Sequence, residues 1–102
     1  MWQRFTERAR KVIQHAREEA EQAGATHVGT EHLLLGVLRE VDSAAAKILE
    51  KMGVSPRRVR AEIRKYVEPR PSVEPLPGGG ERSLTDQAKR VLQLAYEEAR
   101  RL

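Results

Sequence analysis

Thr30, Glu31 and His32 stand in a row directly ahead of the apolar run 33–38, and each offers a different chemistry. A hydroxyl can cap a helix, a carboxylate can grip a guanidinium through paired charge-assisted hydrogen bonds, and an imidazole can ligate a metal or carry a proton. The structural roles are simpler. Thr30 is expected to cap the helix that follows, Glu31 to sit in its first turn where the dipole favours an acid, and His32 to bond backbone through a ring nitrogen. A metal site is disfavoured: His27 and His32 are five apart rather than four, His15 has no predictable neighbour, and the chain has no cysteine. Catalysis is disfavoured too. No G-x-x-x-x-G-K-[ST] loop occurs, Gly78, Gly79 and Gly80 follow a Pro-rich stretch without the phosphate-binding lysine, and the hydroxyls fall at helix starts with no base beside them. A rival reading is nucleic-acid binding. Arg57, Arg60 and Arg64, with Arg58 and Lys65 close by, can line one edge of a helix and neutralise phosphates, although Glu62 interrupts them and a solvated face explains them equally.

The elements that must position these groups fit one small α-helical domain. The chain has 102 residues, 39% hydrophobic and a third charged, with 19 basic and 15 acidic residues mixed to a net charge of +4. No apolar run approaches the roughly 20 residues of a membrane span. The start, "MWQRFTERARKV", lacks the apolar centre of a secretory signal. Absence of cysteine suits a reducing, cytoplasmic setting.

Apolar residues recur at helical spacing in 6–23, with Thr6 as N-cap and Ala9, Val12, Ile13, Ala16 and Ala20 on one face, and Gly24 fits the stop. The second helix follows Gly29. Its leucines cover most of the circumference and predict the central, most buried helix. A third, 43–52, opens at Asp42 or Ser43, packs through Ile48, Leu49 and Met52, and stops at Gly53. Ser55, the expected cap, with Pro56 opens the fourth, whose inner stripe is predicted as Val59, Ile63, Tyr66 and Val67. Residues 1–67 thus form one four-helix unit. Residues 68–83 hold four of the five prolines and a Gly triplet, which predicts a linker without regular structure.

Residues 84–102 then repeat the first helix. A shift of 79 aligns Thr6 with Thr85, also an expected cap, and Ala9, Val12, Ala16, Glu19 and Ala20 with Ala88, Val91, Ala95, Glu98 and Ala99. Eight of the eighteen positions 6–23 are identical. A tandem repeat is expected, its second copy incomplete. The stripe of Ala88, Val91, Leu92, Ala95 and Ala99 lacks repeat partners, so it is expected to lie on the first unit, to fray, or to form a homodimer or helix exchange through 84–102.

"RFTERARKVIQHAREEA", "VGTEHLLLGVLRE", "AAAKILEKMGVSPRRVRAEI" and "LTDQAKRVLQLAYEEAR" closely resemble the amino-terminal domain of Clp-type AAA+ unfoldases, with ClpC the nearest branch. The resemblance covers 2–67 and 84–102. It implies an all-α, pseudo-symmetric module of two four-helix repeats above an ATPase ring, receiving adaptors and unfolding substrates for a ClpP-type peptidase. ATP is expected only in the ATPase modules, and this chain is expected to be no enzyme. For some ClpC relatives the resemblance implies phosphoarginine recognition, carried here onto Glu31 and Thr6, with Glu31 facing outward beside the start of the first helix. The sequence departs from the family in three ways: no second G-T-E-H copy, Val41-Asp42-Ser43 where relatives often have a Gly-acid-Gly turn, and a longer linker.

Overall fold

The computed structural model describes residues 6–66 and 83–101. Among them are five helices: α1 (Glu7–Gln22), α2 (Thr30–Arg39), α3 (Ala44–Lys51), α4 (Pro56–Tyr66) and α5 (Asp86–Arg101). Hydroxyls open four of them. Thr6 Oγ1 accepts the Ala9 amide at 3.1 Å, Ser43 that of Ala46 at 3.1 Å, Ser55 that of Arg58 at 3.3 Å and Thr85 that of Ala88 at 3.1 Å, each satisfying a donor that the first turn cannot.

The exception is α2. Its N-cap is Gly29, and Thr30, expected as the cap, is already the first helical residue. The closure comes from the other direction: His32 Nδ1 accepts the Gly29 N–H at 2.9 Å. This is the half of a capping box normally filled by Glu or Gln three residues into the helix. The hydroxyl is therefore not needed there, and Thr30 is exposed.

α1 and α3 end alike. Gly24 and Gly53 carry φ of +72° and +85°, and the amides of Gly24 and Ala25 return to Glu21 and Ala20 as those of Gly53 and Val54 return to Glu50 and Leu49. This paired closure of the last carbonyls requires the left-handed conformation that glycine adopts without a Cβ penalty.

α2 packs against each of the other four helices and buries Leu33, Leu35 and Leu38. Its axis comes close to α1 because Gly36 has no side chain. A Cβ there would collide with the Val12 carbonyl oxygen and lie 3.1 Å from the Ala16 nitrogen. Facing it, α1 contributes Ile13, Ala16 and Ala20.

α5 lies on this first unit. Ala88 is fully buried in one cluster with Ala16, Ala20, Val28 and Leu33, and Leu84 and Leu92 pack at its edge. An isolated parallel bridge fastens the entrance to α5: the Val28 N–H donates to the Ser83 carbonyl and the Thr85 N–H to the Val28 carbonyl, both at 2.9 Å. Val91, Leu94, Ala95 and Ala99 stay exposed, so the docking covers only the amino-terminal half of the stripe.

Several residues assigned to packing face outward. Tyr66 is 85% exposed, and Ile48 and Met52 are exposed as well. The short α3 buries only Ala46. α4 buries no residue fully; Val59 and Ile63 are half-buried. Val67 and the expected linker, apart from Ser83, lie outside the described residues.

Candidate functional site

The incomplete closure of α4 over α2 leaves a groove of about 560 Å³. Leu34, on the face of α2 turned away from the core, forms its floor with Val54, Val59, Ile63 and Tyr66, and Glu31, Arg58 and Glu62 stand at its edge. Helical spacing explains the split within α2: Leu34 projects away from the side of His32 and Gly36, which is buried and meets α1 at Gly36. α4 then presents Val59, Ile63 and Tyr66 on successive turns.

Glu31 is anchored at this edge. Its carboxylate folds back over Gly29, where a Cβ would lie 2.5 Å from Oε1, and Oε1 lies 3.6 Å from His32 Nδ1. Burial pushes the His32 ring below its ordinary pKa of 6.5, while Glu31 and Glu19 pull it partly back. The ring is neutral near pH 7 and accepts the Gly29 amide through Nδ1, so its proton is on Nε2. Thr6 does not line the Glu31 groove. Its hydroxyl caps α1, and no hydrogen bond joins it to Glu31.

The three histidines go separate ways. His15 Nε2 faces Glu40 at 3.5 Å, His27 Nδ1 faces Thr26 Oγ1 at 3.0 Å, and His32 is committed to the α2 start. Among the described residues no three His, Asp or Glu side chains converge as metal ligands.

The basic face of α4 is partly consumed within the fold. Arg60 turns inward to Glu19 of α1, with Nε donating to Oε2 at 3.3 Å and Nη2 donating to Oε1. The Glu19 carboxylate, with the residue only 4% exposed, holds the Arg60 pKa above its usual value through these bonds. Lys65 pairs with Glu62 at 2.9 Å. Arg57, Arg58 and Arg64 remain exposed, without the continuous stripe that the nucleic-acid reading needs. Sequence reasoning missed the Glu19–Arg60 pair; the signal was an acid placed on the apolar side of α1. It missed Leu34 and Tyr66 as groove residues because both sit in runs that read as core.

This fold and its small-residue helix contacts define the repeat unit of a Clp amino-terminal domain. The chain belongs to the Clp repeat (R) N-terminal domain family, which matches residues 4–102. It is 44% identical over 106 aligned residues to an ATP-dependent Clp protease ATP-binding subunit ClpA homolog of Guillardia theta, covering 100% of this chain and 12% of that protein. Identity is 43% to the chloroplastic chaperone protein ClpC1 of Oryza sativa subsp. japonica, over 100% of this chain and 11% of that one, and 38% to the chaperone protein ClpB of Oceanobacillus iheyensis, over 100% and 12%. The chain therefore spans about a tenth of the length of these curated relatives. The crystal structure of the N-terminal domain of ClpD from Arabidopsis thaliana superposes with a TM-score of 0.71 at 26% identity, covering 96% of this chain and 65% of that one. No helix among the described residues is long and apolar enough to cross a membrane.

Proposed function

We propose that this chain is the substrate- and adaptor-docking part of a ClpC-like AAA+ unfoldase that delivers proteins to a ClpP-type peptidase in the cytoplasm. The observation that supports it is the open apolar groove between α2 and α4, edged by Glu31, an acid with no lysine or arginine partner among the described residues. Its role is binding; no catalytic residue or cofactor is assigned to it, and ATP belongs to the ring. Added in excess to a ClpC–ClpP assay degrading a fluorescent unfolded client, the chain should bind the client and slow its loss. Unchanged degradation together with no binding to the client overturns the reading.

Phosphoarginine recognition is part of the proposal through Glu31, whose carboxylate is suited to a guanidinium. Thr6 would have to meet the phosphoryl group with a hydroxyl already engaged at the α1 start. Titration calorimetry with free phosphoarginine should give heat that Glu31→Ala abolishes; no heat, or heat unchanged by the substitution, excludes it. Self-association is proposed through the exposed Val91 and Leu94 of α5. Light scattering should show a dimer at high concentration, and a strict monomer defeats it.

A further inference from the structure

How α4 is fastened to the rest of the molecule bears on the groove it walls. Its attachment by burial is slight: no α4 residue is fully buried, Val59 and Ile63 are half-buried, and Tyr66 at its end is exposed. Its attachment by chain is one short joint. The Val54 N–H still closes α3, on the Leu49 carbonyl at 2.9 Å. Ser55 already starts α4, its carbonyl accepting the Val59 N–H at 3.0 Å and its hydroxyl that of Arg58 at 3.3 Å. Both helix ends are therefore fixed up to one planar peptide bond, and ψ of Val54 and φ of Ser55 are the dihedrals left to turn. Across this joint Arg58 Nη1 reaches the Gly53 carbonyl in a long, exposed bond of 3.4 Å. The strong fastening lies at mid-helix. Arg60 donates two hydrogen bonds to the Glu19 carboxylate, which is buried and also acts on the His32 ring of α2. One buried carboxylate thus sits where α1, α2 and α4 meet.

We propose that α4 is a hinged wall of the groove: it swings as a unit about the Val54–Ser55 joint, and the Glu19–Arg60 pair is the latch that holds it against α1 and α2. Elements that open locally are those with few buried apolar contacts. α4 has that profile, beside an α1 and α2 that bury Ile13, Ala16, Leu35 and Leu38. The latch fixes orientation as well as distance, because two bonds from a planar guanidinium to one carboxylate hold both. Half-buried Val59 and Ile63, which can slide on an apolar floor, do not. With the latch made, the groove is preformed; with it open, α4 carries Val59, Ile63 and Tyr66 away from Leu34 and Val54, which line the same groove. Arg60 does not itself line the groove, so it is a positioning residue that acts through α4. The consequence for clients rests on the docking role proposed above, whereas the hinge stands apart from it.

Native-state hydrogen exchange on the full 102-residue chain tests the hinge without any substitution. The amides of 60–66 should open together, with a shallow dependence on urea, and about tenfold or more as often as those at the centres of α1 and α2. One common opening for all three helices overturns the proposal. Spin labels test the latch. The chain has no cysteine, so labels on Gln22→Cys of α1 and Ala61→Cys of α4, both exposed, report one distance between the helices by pulsed electron resonance. That distance should be narrowly distributed in the labelled parent. It should broaden in Glu19→Ala/Arg60→Ala, a pair that leaves no orphaned buried charge, with α4 exchange about tenfold faster. Arg60→Lys, which keeps the cation without the two-pronged geometry, should fall between them. An unchanged distance with unchanged α4 exchange in the double variant overturns the latch. A reduced, unfolded client separates the hinge from the docking role. It should bind the double variant more weakly than the parent, because fewer molecules present the preformed groove. A loosened α4 with unchanged client binding keeps the hinge and removes docking through this groove, while absence of client binding to the parent removes the docking role alone.

Discussion

Adjacent residues at the start of α2 divide two tasks. His32 is spent on the fold while Glu31 stays at the groove edge, because one side chain turns inward to the Gly29 amide and the other lies over the backbone. The histidine makes stability depend on pH. Above its ordinary pKa of 6.5 the ring is neutral whether the chain is folded or not, but below it the unfolded chain binds a proton that the buried ring resists, since its folded pKa is lowered. Stability is therefore lost as pH falls from 6.5 toward the lowered value. Urea midpoints measured down this range should fall, and His32→Gln, which can still accept the Gly29 amide, should show a shallower decline. Glu19 presents the opposite problem, a buried carboxylate made tolerable by Arg60. Arg60→Ala should destabilise by about 2 kcal/mol in chemical denaturation, less than the ~3–5 kcal/mol of a fully buried pair because the guanidinium is partly in water. Arg60→Lys should recover part of the loss, having charge without the two-pronged geometry.

Helices α1 and α5 share eight of eighteen aligned residues and the same apolar stripe, and meet different fates. In α1 the repeated face is closed by α2 and its glutamate by α4. In α5 the matching Glu98 pairs with Arg101 of its own helix, at 3.2 Å on the surface. Burial of this element is thus set by its neighbours rather than by its composition. The decisive neighbour for α1 is Gly36. Gly36→Ala would gain about 1 kcal/mol of helix propensity but force a methyl group against the Val12 carbonyl and Ala16, and overpacking costs about 3 kcal/mol at its upper range. The clash wins. A net loss of about 2 kcal/mol is expected, seen as a thermal midpoint lower by about 10 °C.

Over the whole molecule, the docking of α5 joins the two ends of the described chain through Ala88 and the Val28 bridge. Ala88→Glu would place a carboxylate in an apolar cluster with no partner for it. Hydrogen exchange should then show α5 losing protection while α2 and its contact with α1 remain protected. The α2–α4 groove lies elsewhere on α2, so client binding should survive that substitution; its loss would show that the groove depends on α5. The same substitution bears on association. An undocked α5 exposes its full stripe, and light scattering should find more self-association in the variant than in the parent.

Local chemistry made most of the helices legible from sequence alone. Thr6, Ser43, Ser55 and Thr85 announce helix starts because each hydroxyl serves an amide three residues away, and Gly24 and Gly53 announce stops because their conformation is local. The family could likewise be read from the G-T-E-H-L-L-L-G run and the renewed first helix. Interactions distant in sequence escaped that reading. The Glu19–Arg60 pair spans 41 positions, Tyr66 turns outward where periodicity placed it inward, and α5 settles on its own unit where an unpaired stripe allowed several outcomes. Which face of an amphipathic helix meets water depends on the helices that arrive to cover it. Only the assembled bundle, with α4 failing to close over Leu34, turned two presumed core positions into a groove.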